Sequence, residues 1–217
     1  MKLHTYWRSS SAYRVRIGLA LKDLACEQVP VHLVRDGGEQ HAEAYRALNP
    51  QSLVPALELD DGTVLTQSLA ILEYLDEAHP EPALLPADPA GRARVRALAQ
   101  LVAADMQPLN NLRVLRHLKR GLGLDQDAVN RWYRHWVATG FTALERRLAA
   151  EEQTGAFCHG DTPGLADVVL VPQVYNAQRF DCPLDRYPVL MAIHERCVAL
   201  PAFQAAAPEA QPDAEAG

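Results

Sequence analysis

The stretch HPEPALLPADPAG, His79 to Gly91, places four prolines within thirteen residues. Each proline removes a backbone donor and fixes φ, so neither a regular helix nor a strand ladder runs through it. It reads as a linker over 81–91, and it separates two halves of different periodicity. Ahead of it the apolar period changes repeatedly. KLHTYW reads as a strand, 11–22 as a helix with Val15, Leu19 and Lys22 at helical spacing, and CEQVPVHLV as a second strand interrupted by Pro30. A short helix over about 42–47 follows the RDGGEQ loop. LVPALEL and TVLTQ then flank Asp60-Asp61-Gly62, a hairpin signal. Ser68 to Ala78 closes the half as a helix with Leu72 and Leu75 on its buried stripe. The order β-α-β-α-β-β-α predicts an α/β domain with a mixed sheet over 1–80. Beyond the linker only helical periodicity remains, over roughly 92–120, 125–150, 164–177 and 186–200. An all-α domain over 92–217 is expected, with a small-residue, acidic tail from about 206 disordered.

Composition excludes several classes of function. A formal charge of -6 argues against an extended nucleic-acid surface, though it permits a local basic pocket. No apolar run is long enough for a membrane helix, and MKLHTYW lacks the apolar region of a secretory signal. Cys26, Cys158, Cys182 and Cys197 are scattered without a CxxC pair, which predicts free thiols in a reducing cytoplasm. The eight histidines show no ligand spacing, so no metal site is expected, and no glycine-rich phosphate loop is present.

The chemistry concentrates in two stretches. In YWRSSSAYRVRIGLALK, Ser9, Ser10 and Ser11 precede an apolar periodic segment. One of them suits a helix N-cap, because its hydroxyl accepts a free first-turn N–H. The other two and Arg8 need another explanation. A helix start also stabilises an anion and lowers the pKa of a thiol placed there. The stretch contains no cysteine, so a thiolate would have to arrive with a ligand. In NPQSLVPALELDDGTVLTQSLAILEYL, Pro55 requires an edge or a bend in its strand. A cis Val54–Pro55 bond would free the Val54 backbone to pair with an extended peptide. Gln67 and Ser68 stand at a helix start suited to a carboxylate, although Ser68 could equally be a second N-cap.

These motifs, with LLPADP, MQPLNNLRVL, GDTPGLADVVLVPQVYNAQRF and AFQAAAPEAQPD, resemble the zeta-class glutathione transferases over nearly the full length. That family comprises the maleylacetoacetate and maleylpyruvate isomerases. The resemblance implies a thioredoxin-like N-terminal domain, a helical C-terminal domain, and a homodimer that binds reduced glutathione. It implies that Val54, next to Pro55, pairs with the cysteinyl part of glutathione, that Gln67 and Ser68 hold its γ-glutamyl carboxylate, and that Gln40 reaches its glycyl end. Gln107, Asn110 and Asn111 match positions lining the same site, and Ser9, Ser10 and Ser11 face the sulfur.

The activity implied is cis-to-trans isomerisation of a small dicarboxylate diketoacid, with maleylpyruvate as the rival to maleylacetoacetate. Addition of a thiolate to the double bond makes it single, rotation follows, and expulsion returns glutathione unchanged. The protein must then hold a dianion and stabilise a developing enolate, tasks suited to the arginine fork. By resemblance, Arg8 and Arg179 match substrate-carboxylate residues, and Arg113 matches an arginine of the bacterial isomerases. The three are expected to converge on a basic pocket. Glutathione conjugation and dehalogenation of small α-haloacids use the same activated thiolate and remain alternatives.

Three positions depart from the family pattern. Ser11 replaces a frequent cysteine, which moves the work to hydroxyls, and Tyr13 lies inside the helix where it is not expected to be catalytic. In GLAD, Gly164 replaces the hydroxyl residue of a capping box, so Asp167 is expected to be structural.

Overall fold

In a computed structural model that describes residues 1–215, the chain divides between Leu84 and Leu85 into two compact units. The first contains Met1–Leu84 and the chain from Ala199 onward, and the second is Leu85–Val198.

The first unit is built on a sheet of order β2-β1-β3-β4. Strand β1 (Lys2–Thr5) pairs in parallel with β2 (Glu27–Pro30) and antiparallel with β3 (Ala56–Glu58), which pairs antiparallel with β4 (Val64–Thr66). Helix α1 (Ser10–Leu21) makes the β1–β2 crossover, the short α2 (Glu43–Leu48) precedes β3, and α3 (Ser68–Ala78) follows β4. Leu3, Val15, Leu57, Ile71 and Leu75 are buried together where α1 and α3 cover the sheet. Gly18 has a specific role in that layer, since a Cβ there would collide with Leu72 of α3. Its bare Cα lets the two helices approach closely.

Pro30 ends β2, an edge strand, where its missing donor is tolerated. Pro55 behaves differently. Strand β3 is internal, and its ladder begins at Ala56, one residue past the cis Val54–Pro55 bond. The proline is thus placed ahead of the strand rather than within an edge.

The second unit contains α4 (Pro89–Gln100), α5 (Leu112–Arg116), α6 (Gln126–Ala150), α7 (Leu165–Arg179) and α8 (Pro188–Val198). The expected helix over 92–120 is broken. A π-helical turn, Leu101–Met106, and a 3-10 turn, Pro108–Asn110, separate α4 from α5. Apolar periodicity alone does not register this change of winding, because both windings keep a buried side.

The tail corrects the expectation of disorder. Helix α9 (Pro201–Ala206) packs on α1, and the segment after it is tied down residue by residue. The Gln211 amide donates to the carbonyls of Ala205 and Ala207, and Asp213 accepts the Trp7 N–H. Small residues that look featureless in sequence allow the close approach these bonds need. The C-terminal segment accordingly belongs to the first unit, not to the helical one. Residues 216 and 217, the end of the expected disordered tail, lie outside the described residues.

Candidate active site

Ser9 is the N-cap of α1, with its Oγ accepting the Ala12 N–H at 3.2 Å. The cap reading therefore belongs to the first serine. Ser10 and Ser11 form the first turn of α1, and their N–H groups are among the four that a helix cannot satisfy internally. The guanidinium of Arg8 lies over the Trp7 ring, 4.9 Å from its centroid, and makes no ion pair among the described residues. Tyr13 is buried inside α1 beneath the Arg16 guanidinium, as a core residue.

Arg16 fixes the turn that carries these groups. Its fork donates to the carbonyls of Ala206, Tyr6 and Trp7 and to Thr5 Oγ1, at 2.8–3.4 Å. The end of β1 and the end of α9 are thereby held to one planar cation.

At the start of α3, Gln67 occupies φ 68°, ψ 114°, a left-handed conformation that costs a non-glycine residue of order 1–3 kcal/mol. Its side chain does not cap the helix, and its amide donates instead to Gln51 Oε1 at 2.9 Å. Ser68 is not an N-cap either. It is the first helical residue, and its Oγ accepts from Arg14 Nη1 at 3.3 Å. The α3 N-terminus is thus left without a side-chain cap, which suits it to an external anion. Gln40, in a 3-10 turn, is buried with Oε1 unpartnered, while its Nε2 donates to the Leu33 carbonyl at 3.5 Å. Val54 and Pro55 are buried immediately ahead of β3.

In the second unit Gln107 follows the π-helical turn, its N–H donating to the Val102 carbonyl at 2.8 Å. Such wide turns re-aim the next side chains, and they recur at functional sites. Asn110 is buried and donates to the Tyr133 carbonyl at 3.3 Å, leaving its Oδ1 unpartnered. Asn111 caps α5 by accepting the Arg113 N–H at 3.1 Å. The Arg113 side chain is exposed. At the end of α7, Arg179 is also exposed and donates to Asn176 Oδ1 at 3.3 Å. Phe180 stacks on Tyr133 with centroids 3.6 Å apart, so helix α6 brings the Asn110 and Arg179 ends of this unit to one region. Burial raises the Tyr133 phenol far above its ordinary pKa, which keeps it neutral.

Asp167 is structural. Its Oδ2 accepts the Gly164 N–H and its Oδ1 the Cys158 N–H, both at 2.9 Å. It is fully enclosed at the start of α7, and burial raises its pKa against the pull of those two donors.

Residues 3–83 match the family model of the glutathione S-transferase N-terminal domain. A maleylacetoacetate isomerase of Pseudomonas aeruginosa is 51% identical over 216 residues, covering all of both chains. The holo structure of a maleylpyruvate isomerase, a bacterial zeta-class glutathione S-transferase, superposes with TM-score 0.96 at 48% identity over 99% of this chain and 100% of that one. The chain belongs to the zeta class of glutathione transferases. Another neighbour, a maleylacetoacetate isomerase from Methylobacterium extorquens with bound malonate and glutathione, superposes with TM-score 0.95 at 43% identity over all of both chains.

Two residues around this site escaped the sequence reading. Arg14 and Asp213 both touch the candidate site's supports, yet one reads as a solvated helix charge and the other as part of a disordered tail. Only the contacts reveal them.

Proposed function

We propose that this zeta-class chain is a glutathione-dependent cis-trans isomerase that converts maleylacetoacetate to fumarylacetoacetate. The observation that carries the reading is the uncapped start of α3, where Gln67 is held in a left-handed conformation and Ser68 sits over a buried guanidinium. That arrangement suits the anionic end of an acidic tripeptide. Gln40, with its buried unpartnered oxygen, and Val54, at the edge of the β3 ladder, fit the rest of such a ligand.

Bound glutathione supplies a thiolate that adds to the conjugated cis double bond and leaves again after rotation. The first turn of α1 stabilises negative charge at Ser10 and Ser11 through its free N–H groups and its dipole. Ser9, already an acceptor from Ala12, keeps its own hydroxyl proton to donate. Arg8, Arg113 and Arg179 serve the two substrate carboxylates and the charge that develops next to them. Gln107, Asn110 and Asn111, on the motif resemblance, line the glutathione site. The bound malonate of the Methylobacterium relative supports a small dicarboxylate as substrate.

A second reading, maleylpyruvate as substrate, is supported by the name of the neighbour at TM-score 0.96. A homodimeric cytoplasmic enzyme of aromatic-compound breakdown completes the proposal on the motif resemblance. The test is an isomerase assay with each diketoacid, with and without glutathione. Turnover that requires glutathione, with the higher kcat/KM on maleylacetoacetate, is expected. Equal rates without glutathione would sink the mechanism, and a preference for maleylpyruvate would transfer the assignment to the second reading.

A further inference from the structure

Two buried arginines one turn-half apart on α1 are used in opposite ways. Arg16 directs its fork at four oxygens, three of them carbonyls, and is a structural cross-tie. Arg14 is 1% exposed, yet it makes a single hydrogen bond, from Nη1 to Ser68 Oγ, and its Nε and Nη2 have no partner. A buried guanidinium with unmet donors is expensive, because desolvation penalises its charge and each unmade bond adds to the loss. Burial lowers its pKa to about 10, which still leaves it cationic at neutral pH. No carboxylate forms an ion pair with it among the described residues, so the compensating anion is not part of its surroundings.

The bond to Ser68 has a direction. Arginine cannot accept, so the Ser68 oxygen is the acceptor and its hydroxyl proton is left to point elsewhere. The hydroxyl stands at an α3 N-terminus that no side chain caps. Three donors of charge then coincide there: the first-turn N–H groups, an oriented hydroxyl and a buried cation behind it.

We propose that Arg14 is a positioning residue for the γ-glutamyl carboxylate of glutathione, acting through Ser68. It fixes that hydroxyl as a donor and adds positive charge beneath the helix start. The inference rests on the glutathione reading above and extends it to a residue that no ligand contact by itself would identify. Closure of α1 on α3 at Gly18, one turn further along, is what brings the guanidinium under Ser68.

The test is binding calorimetry with two probes: glutathione, and 4-aminobutyryl-Cys-Gly, which lacks only the α-carboxylate of the γ-glutamyl group. The wild-type chain should prefer glutathione by at least about tenfold, as a charge-assisted contact of this kind implies. Arg14→Gln should cut that preference to about twofold or less, with affinity for the truncated probe nearly unchanged. Equal losses for both probes, with the preference intact, would indicate a merely structural role and overturn the proposal. Where Arg14→Gln does not fold, Arg14→Lys decides: its point charge lacks the planar fork, so the preference should fall about threefold, and an unchanged preference overturns the proposal. Failure of the wild-type chain to bind glutathione at all is a separate outcome, which sinks the glutathione reading and this inference with it.

Discussion

The backbone N–H of Trp7 donates to Asp213 Oδ2 at 2.9 Å, joining residues 206 positions apart. Trp7 lies one residue before Arg8, so the tail restrains the turn that presents the serines. Ala214 packs beside it against the cluster of Tyr6, Trp7, Val31, Tyr45 and Val54. Asp213→Ala should therefore loosen this turn, raising the amide-exchange rate of Trp7 about tenfold or more for a loss of roughly 1–2 kcal/mol. An unaltered exchange rate would show that the bond does not restrain the turn in solution.

Arg179 lies exposed at the end of α7 with its guanidinium 6.0 Å from the Phe180 ring centroid. Arg179→Ala should reduce kcat/KM for the diketoacid by one to two orders of magnitude, about 1.4–3 kcal/mol, while the glutathione Kd changes less than twofold. Steady-state kinetics with calorimetry separate the two. An unchanged kcat/KM removes Arg179 from substrate binding.

Ser11 occupies the first turn of α1, where the family often has cysteine. If hydroxyls and N–H groups stabilise the ligand thiolate, a protein thiol adds little. Ser11→Cys should alter the isomerisation rate by less than about tenfold, since the thiol keeps a weak donor at the same place and the first-turn N–H groups are unchanged. A hundredfold gain would show that the missing thiol matters.

Lys22 ends α1 with its ammonium buried, donating to Asp76 Oδ1 at 2.9 Å and to the carbonyls of His79 and Pro82 at 2.7 and 2.8 Å. It fastens α1 to the end of α3 and the proline-rich segment. Lys22→Met would strand the Asp76 carboxylate, costing about 3–5 kcal/mol in chemical denaturation. Asp76→Asn in the same background should recover part of that loss, and no recovery would show that packing rather than charge is at stake.

His194 is buried on α8, and desolvation pushes its pKa from 6.5 down to about 4. The unfolded chain binds the proton more tightly, so the stability tied to the neutral imidazole is complete above pH 6.5 and is lost as pH falls towards 4. The loss approaches 3 kcal/mol, on the order of 1.4 kcal/mol for each pH unit. His194→Gln should flatten the acid limb of the stability curve, measured by denaturation between pH 4 and pH 7. A limb as steep as wild type assigns the acid loss to other groups.

Much of the first unit was legible. Residues such as Val15, Leu57 and Leu75 follow the period of their own helix or strand, and Asp60-Asp61-Gly62 is a local turn, so near neighbours carry the information. The Ser9 cap is local in the same sense, because its acceptor and donor lie three residues apart. The π-helical turn before Gln107 was not legible, since it keeps the apolar period while changing the winding. Ser68 was ambiguous between cap and ligand group until Arg14 was seen to occupy its oxygen.

By itself the sequence determined the order of elements, the change of class at the prolines, and the residue types suited to a thiolate and a dianion. These depend on short-range spacing. Tertiary structure alone decided that the tail from Ala199 joins the first unit, that Asp213 restrains the serine turn, and that of two similar arginines one is a cross-tie and the other lies unmatched beneath Ser68. The reason is physical: a guanidinium or carboxylate has the same chemistry wherever it stands, and what it does depends on partners as distant in sequence as Ser68 for Arg14, Ala206 for Arg16 and Trp7 for Asp213.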